Sequence, residues 1–381
     1  FYTPMYDKAV QFAQHPQHEV LIMTGFIILY WILTFIATKG VKAFSNVAKY
    51  GVLIGTFIPL AIMIILAIVW LCQGHTPAIP MTPKGLIPKW NGMSTLALAA
   101  GVFFSYTGID TNAAHIKQLK HPEKDFTKAT FITIILVFLI FVVGTVIIAM
   151  VVPENQLNVI YSLNTVFREL GATIGMPWLY MVLVWAGLCN VLANVITNMA
   201  GPSFMLGQAG GSGFLPKWFQ EKNKHHMPAH LMYTQIAGMT IIAYLVKLIP
   251  NVEGFVILLT QTITILYMFY YILMFITFLR LRYDQPNRPR PFKVPGGKVG
   301  AWIVAGIGLI SSVFGIVLAI YPPAQVKSEV GSPVTYVVII CILVAVILAI
   351  CFIMYQLSKK HPEWVDPRNK FAPFTWKIEG L

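Results

Sequence analysis

Nine stretches of about twenty predominantly apolar residues divide this chain, at roughly 19–38, 50–72, 95–115, 130–152, 176–200, 230–249, 255–279, 300–321 and 335–357. That is the length an α-helix needs to cross the hydrocarbon core of a bilayer. Composition agrees: of 381 residues, 57% are hydrophobic and 11% charged, and mean hydropathy is +0.71, against about 25% charged residues in a soluble domain. In lipid every backbone polar group must be satisfied within the chain, which leaves helices as the spanning element here. The expected fold is all-α, a polytopic membrane helix bundle of about nine transmembrane helices, one of them discontinuous.

The net charge of +13 could suit nucleic acid or an anionic surface, and its distribution decides between them. Threading the spans alternately, with residue 1 outside, places twenty-one of the 27 Lys and Arg on one side and only Lys8, Lys84, Lys89, Arg168, Lys247 and Lys327 on the other. The positive-inside rule makes the rich side cytoplasmic, together with the C-terminus. The basic excess is a topology signal, and no nucleic-acid partner is expected. An external first residue needs something upstream to carry it across the membrane. The chain opens at Phe1 without an initiator Met or a signal-peptide pattern, so the expectation is a piece lacking its first helices.

Between the spans, Phe1 to Gln17 reads as an external loop, and a short cytoplasmic connection holding Lys42 leads into the span entered at Ala48-Lys49-Tyr50. The stretch from Gln73 to Asn91 carries Pro77, Pro80, Pro83 and Pro88, too many for a helix. Leu157, Tyr161, Val166, Phe167 and Leu170 suggest an amphipathic helix lying on the protein or the membrane surface. Gly207 to Pro228 reads as a glycine- and lysine-rich cytoplasmic loop, and Arg280 to Lys298 as a proline-rich one. Cys72, Cys189, Cys341 and Cys351 fall in or beside apolar runs without metal-ligand spacing. They read as small apolar core residues, with no disulfide framework and no metal.

Span 95–115 breaks the apolar rule most clearly. After Phe104 it reads Ser105-Tyr106-Thr107-Gly108-Ile109-Asp110. Gly108 is a weak helix position, Ser105, Tyr106 and Thr107 can bond freed backbone groups, and Asp110 is an acid inside a hydrophobic span. A discontinuous helix near the midplane offers unpaired N–H and C=O groups to the polar ends of a substrate. The plainer reading is a packing glycine, with Asp110 paired to a neighbour. An ionisable residue within a span also marks a candidate proton relay, so Asp110 either couples transport to protons or fixes helix geometry.

Asn190, Asn194, Thr197 and Asn198 recur at i, i+4, i+7 and i+8, one face of a helix, which lines a polar path or cements helix contacts. Span 255–279 carries Thr260, Gln261, Thr262 and Thr264, then Tyr267, Tyr270 and Tyr271, with Tyr267 and Tyr271 on one face as gate or as bundle filler. Lys49 either snorkels from a helix end or, if its helix starts near Ala43, lies a turn or two inside. His115, His121, His225 and His226 sit near the cytoplasmic face, as pH sensors or merely solvated. There is no P-loop, and Ser-His-Asp partners would fall on opposite sides of the membrane, so no enzyme and no cofactor is expected.

Four stretches carry a family likeness: Phe104 to Asp110 with the downstream His121 to Asp125, Gly201-Pro202-Ser203, Phe214-Leu215-Pro216, and the proline-glycine run Arg290 to Gly297. With these the chain resembles bacterial amino-acid permeases of the amino acid–polyamine–organocation superfamily, and within it the glutamate/γ-aminobutyrate antiporters. The resemblance implies a leucine-transporter-like fold of inverted repeats, here partial because the first three helices are missing. It implies a transmembrane permease domain over 1–358 and a short cytoplasmic tail over 359–381, too short to plug the inward path as the long tail of those antiporters does. It also implies an aromatic gate at Phe104, a substrate-contacting tyrosine at Tyr270, and an acid at Asp110 one methylene shorter than the family's glutamate. Lys49 matches a lysine of proton-linked members, where it would fill the place of a sodium ion. Asn194 stands where the antiporters carry an acid, and Asn198 where they carry tryptophan.

The implied function is secondary active transport of amino acids across the bacterial inner membrane, by exchange. The implied substrate contacts are Phe104, Ser105, Tyr106, Thr107, Gly108, Asn194, Asn198 and Tyr270, with Asp110 and Lys49 as proton-coupling candidates. Proton-coupled uptake is the rival within transport, and a transport-incompetent membrane fragment or scaffold the rival outside it. The lipid bilayer and an amino-acid substrate are the expected partners, and nothing in the residues assigns an oligomeric state.

Overall fold

The computed structural model describes residues 16–80, 82, 93, 96, 99–119, 121–153, 162–246, 252–287, 290, 293–322 and 332–365. Among them the chain is helical, and the sole β-pairing is an isolated antiparallel bridge between Ser212 and Val365. The helices, in chain order, are α1 (Pro16–Ala37), α2 (Val41–Val52), α3 (Ile58–Cys72), α4 (Ala99–Ser105), α5 (Pro122–Val151), α6 (Ser162–Thr173), α7 (Leu179–Gly211), α8 (Lys217–Gln220), α9 (Ala229–Val246), α10 (Val252–Asp284), α11 (Gly297–Ile320) and α12 (Pro333–Lys360). A π-turn over Leu53–Phe57 joins α2 to α3, and 3₁₀ segments occupy Ile109–Gln118 and Pro362–Trp364.

Among the described residues, seven helices are long and apolar enough to cross a membrane: Val20–Ala37, Ser45–Cys72, Lys124–Val151, Leu179–Gly211, Gly254–Asp284, Gly297–Ile320 and Pro333–Lys360. Each coincides with a span expected from sequence. The span expected at 230–249 is helical as α9, with residues 247–249 outside the described set. The span expected at 95–115 is the discontinuous one, and residues 94, 95, 97 and 98 lie outside that set. Large apolar side chains point outward along these helices: Ile310 is 73% exposed and Trp185 70%. That inversion of the soluble pattern suits a lipid surround.

The chain divides into two compact units. The first comprises α1 to α3, most of α5, α6, most of α7 and most of α9. One of its cores gathers Met63, Leu66, Met150, Phe167 and Leu183, and another Ala37, Ile196, Met199, Met232 and Ile236. Helix α6 buries Val166, Phe167 and Leu170 in the first core, so its apolar face lies on the protein; Leu157 and Tyr161 are outside the described residues. Trp31 Nε1 donates to Thr240 Oγ1 at 3.1 Å and ties α1 to α9, while Ser203 Oγ donates to Gln235 Oε1 at 2.8 Å and ties α7 to α9. Asn223 donates from Nδ2 to the Thr38 carbonyl at 2.7 Å.

The second unit holds α4, the 3₁₀ segment after it, α8 and α10 to α12. Its core joins Ala100, Leu258, Ile265, Leu318, Tyr336 and Ile340, and the Tyr336 hydroxyl donates to the Ala319 carbonyl at 2.9 Å.

Four expectations need correction. The stretch read as a loop from Arg280 to Lys298 is helical at both ends, because α10 runs to Asp284 and α11 starts at Gly297. The connection holding Lys42 is helical, because α2 starts at Val41, directly after Gly40 turns the chain at φ +118°. Gly207 to Gly211 belongs to the end of α7, where Gly210 packs closely against Leu215 and Gln220. The cysteines are not core residues: Cys72, Cys341 and Cys351 are exposed and Cys189 half-buried, on helices whose outward faces meet lipid.

Candidate functional site

Helix α4 stops at Ser105, and the chain turns through Tyr106, Thr107 and Gly108 before re-forming as a 3₁₀ helix at Ile109. Gly108 makes the turn possible: its φ of +88° is left-handed, a conformation that costs a residue with a side chain about 1–2 kcal/mol. Local polar side chains close the break. Ser105 Oγ donates to the Gly101 carbonyl at 2.9 Å, Thr107 Oγ1 to the Phe104 carbonyl at 2.7 Å and Thr111 Oγ1 to the Gly108 carbonyl at 2.5 Å. A hydroxyl has one donor and two acceptor lone pairs. With their protons committed inward, Ser105 and Thr107 can serve a ligand only as acceptors, which suits an ammonium group.

Helix α10 supplies the other side of the break. The Tyr271 hydroxyl donates to Asp110 Oδ1 at 3.0 Å and accepts from the Gly108 N–H at 3.4 Å. The Tyr267 ring stacks at a tilt on Tyr271, with centroids 6.1 Å apart, and Tyr270 does so at 5.4 Å. One hydroxyl thus reads both the turn and the acid that follows it. Asp110 is the second residue of the 3₁₀ helix, where the N-terminal dipole favours a carboxylate. Among the described residues it makes no ion pair. Its neighbours are hydroxyls, so the pairing expected for a structural acid is supplied by Tyr271.

The structure therefore brings Gly108, Asp110, Tyr270 and Tyr271 together, with Ser105 and Thr107 on the same broken segment. Tyr270, matched by resemblance, is 39% exposed and leaves its ring open to a ligand. Tyr271 bonds both Asp110 and the turn, and the sequence reading places it on one face with Tyr267; their i, i+4 spacing is the legible signal. Phe104 is half-buried, its carbonyl accepting both the N–H and the hydroxyl of Thr107. Tyr106 and Tyr271 line one groove of about 360 Å³ with Phe103, Phe275, Ser311 and Ser312.

Lys49, Asn194 and Asn198 belong to the first unit. Lys49 is exposed and stands eight residues into the helix that begins at Val41, about 12 Å along its axis. That meets the condition for lying a turn or two inside. Its Nζ sits 5.6 Å from the Tyr50 ring centroid. Asn194 and Asn198 form a ladder on α7: Asn194 Nδ2 donates to Asn190 Oδ1 at 3.1 Å, and Asn198 Nδ2 to the Asn194 carbonyl at 3.0 Å. Both amides are exposed. Behind them lies a contact that sequence reasoning passed over. Gly51 and Gly55 press α2 and its π-turn onto α7, so that an added Cβ would stand 2.4 Å from Ala193 Cβ and 2.5 Å from the Ala186 carbonyl, respectively. The Gly51-x-x-x-Gly55 spacing, a small-residue packing motif of membrane helices, was the legible signal.

Comparison with known proteins shows the family. A family profile described as amino acid permease matches residues 8–358. The chain is 29% identical over 354 residues to the glutamate/gamma-aminobutyrate antiporter of Lactococcus lactis subsp. lactis, covering 91% of this chain and 69% of that protein. It is 28% identical over 336 residues to an uncharacterised transporter of Legionella pneumophila, covering 88% and 71%. A probable agmatine/putrescine antiporter of Lactococcus lactis is 24% identical over 342 residues, covering 87% and 71%. These relatives carry solutes rather than transform them, and the apolar helices make the chain a multi-pass membrane protein. The chain belongs to the amino acid permease family.

Proposed function

We propose that this permease exchanges one amino acid for another across a bacterial inner membrane, by alternating access around the break from Ser105 to Asp110. The observation that carries the reading is the interrupted helix, with Gly108 in a left-handed turn held by Tyr271 from α10. A break of this kind frees main-chain groups for the ends of a zwitterionic substrate. Relatives named for glutamate/γ-aminobutyrate and agmatine/putrescine antiport support exchange over net uptake. In this reading Phe104, Ser105, Tyr106, Thr107, Gly108 and Tyr270 contact the substrate, Asn194 and Asn198 line its path, and Asp110 or Lys49 carries any coupling proton. Residues 1–358 form the transport domain, with the basic loops and the tail from 359 in the cytoplasm and residue 1 outside.

Counterflow in proteoliposomes tests this. Vesicles loaded with unlabelled glutamate or γ-aminobutyrate are expected to take up labelled amino acid at least tenfold faster than empty ones. Equal rates would replace exchange by net uptake. The pH profile of Asp110→Asn belongs in the same assay: an unchanged profile removes Asp110 from proton coupling.

A further inference from the structure

The run from Arg290 to Gly297 contributes to the family likeness, yet it takes no part in the break. It joins the C-terminal end of α10 to the N-terminal end of α11 on the side rich in basic loops. The two helix ends are treated differently. Arg290 donates to the carbonyls of Leu281 at 3.1 Å, Gln285 at 2.7 Å and Pro286 at 3.2 Å, placing a cation on the negative pole of α10. Helix α11 follows Gly296, a glycine at φ +81°, and among the described residues no side chain caps its positive pole.

Lys298 is the second residue of α11, and Arg280 and Arg282 stand near the end of α10. Arg280 is neutralised by Asp284 at 3.0 Å. Arg282 and Lys298 meet no carboxylate within ion-pair distance among the described residues. They lie instead over aromatic rings, Arg282 at 4.8 Å from the Phe278 centroid and Lys298 at 6.0 Å from that of Tyr283. Trp302 Nε1 donates to the Tyr283 hydroxyl at 2.6 Å and bridges the two helices with an amphipathic pair that stays half exposed. Trp and Tyr of this kind settle at the headgroup level of a bilayer.

Below the pair the surface changes character. On α11 the residues Val299, Ile303, Ile307 and Ile310 are 69%, 57%, 62% and 73% exposed and follow one another at helical spacing. Leu273 and Ile276 continue the apolar surface on α10. A charged head above an apolar column is the outline of a phospholipid.

We propose that the joined ends of α10 and α11 bind the headgroup of an anionic phospholipid, with Arg282 and Lys298 on the phosphate and the acyl chains along the Val299-to-Ile310 column. The basic proline-glycine run is then a lipid seat. A soluble acidic partner would share the cations but could not occupy a column that faces the bilayer. The claim does not depend on which solute the permease carries.

Native mass spectrometry of the full chain, purified with equal amounts of phosphatidylglycerol and phosphatidylcholine, reads the site without a transport assay. The wild type is expected to retain phosphatidylglycerol preferentially. Each basic residue near a membrane surface contributes about 1 kcal/mol toward anionic lipid, so R282Q/K298Q is expected to weaken that retention roughly thirty-fold. The charge-preserving R282K/K298R pair, and a K222Q/K224Q pair elsewhere on the basic side, are expected to keep it. No preference in the wild type, or an equal loss in K222Q/K224Q, would overturn the proposal. Excess inorganic phosphate should leave the lipid in place; complete displacement would show that the phosphate alone is recognised and would also overturn it.

Discussion

The break in the second unit and the amide ladder in the first both place polar groups inside apolar helices, but they spend their hydrogen bonds in opposite ways. At the break, Tyr271 reaches across 161 positions of sequence to Asp110 and also meets the Gly108 N–H. Along α7, Asn194 and Asn198 bond groups four residues back on their own helix. A bond between elements fixes their relative placement and is lost when they move apart. A bond within one helix survives such motion. The bond at the break therefore depends on where α10 stands, whereas the ladder depends on α7 alone.

The largest expected effect probes that packing. Gly51→Ala and Gly55→Ala push a Cβ into the backbone and side chains of α7, where little can yield, so each is expected to cost roughly 3 kcal/mol, the upper end for overpacking. Thermal unfolding of the purified protein reads it; an unchanged midpoint would mean that the first unit is not held by this contact. Next comes Gly108→Ala. The nearest atom to its added Cβ is the Tyr267 hydroxyl at 3.8 Å, so the cost is conformational, about 1–2 kcal/mol. Exchange should fall more steeply than stability, and a proportionate fall would reduce the break to a packing feature. Asn194→Ala removes the amide's contacts to Asn190 on the same helix, worth only about 0.2–0.5 kcal/mol. It should leave unfolding nearly unchanged while shifting substrate preference in a competition panel; no shift would make the ladder structural.

The smallest effect lies outside both regions. The backbone N–H of Glu363 and the His361 ring at 2.7 Å hold its carboxyl below the usual range. A lowered carboxylate contributes above its ordinary titration range, and the contribution fades as pH falls through the lowered value. Protease access to the Val365 bridge should therefore rise only on the acid side of that range, and Glu363→Gln should abolish the change without touching exchange.

Much of this architecture is legible in sequence because lipid imposes a single rule on every span. Apolar length alone found the long helices, and the glycine among hydroxyls and an acid found the break. What the chain could not declare was which partner closes it: Tyr267, Tyr270 and Tyr271 are chemically alike, and the rotation of α10 sets the Tyr271 hydroxyl on both Asp110 and the Gly108 N–H. Gly207 to Gly211 looked like a loop because glycine is a poor helix former, yet tertiary contact with Leu215 and Gln220 carries α7 through it. Gly51 and Gly55 were legible as a spacing but hidden by the apolar run around them. Burial of the cysteines failed as an expectation for a different reason: in a bilayer, the outward face is the apolar one.

A double-mutant cycle of Tyr271→Phe and Asp110→Asn on counterflow rates tests the central claim most directly. If the hydroxyl and the carboxylate act as one lock at the break, each single change should slow exchange, the second should add little to the first, and the coupling should be about 1.5–3 kcal/mol, as for a hydrogen bond to a charged group. Fully additive losses, or a Tyr271→Phe protein that exchanges at the wild-type rate, would contradict it.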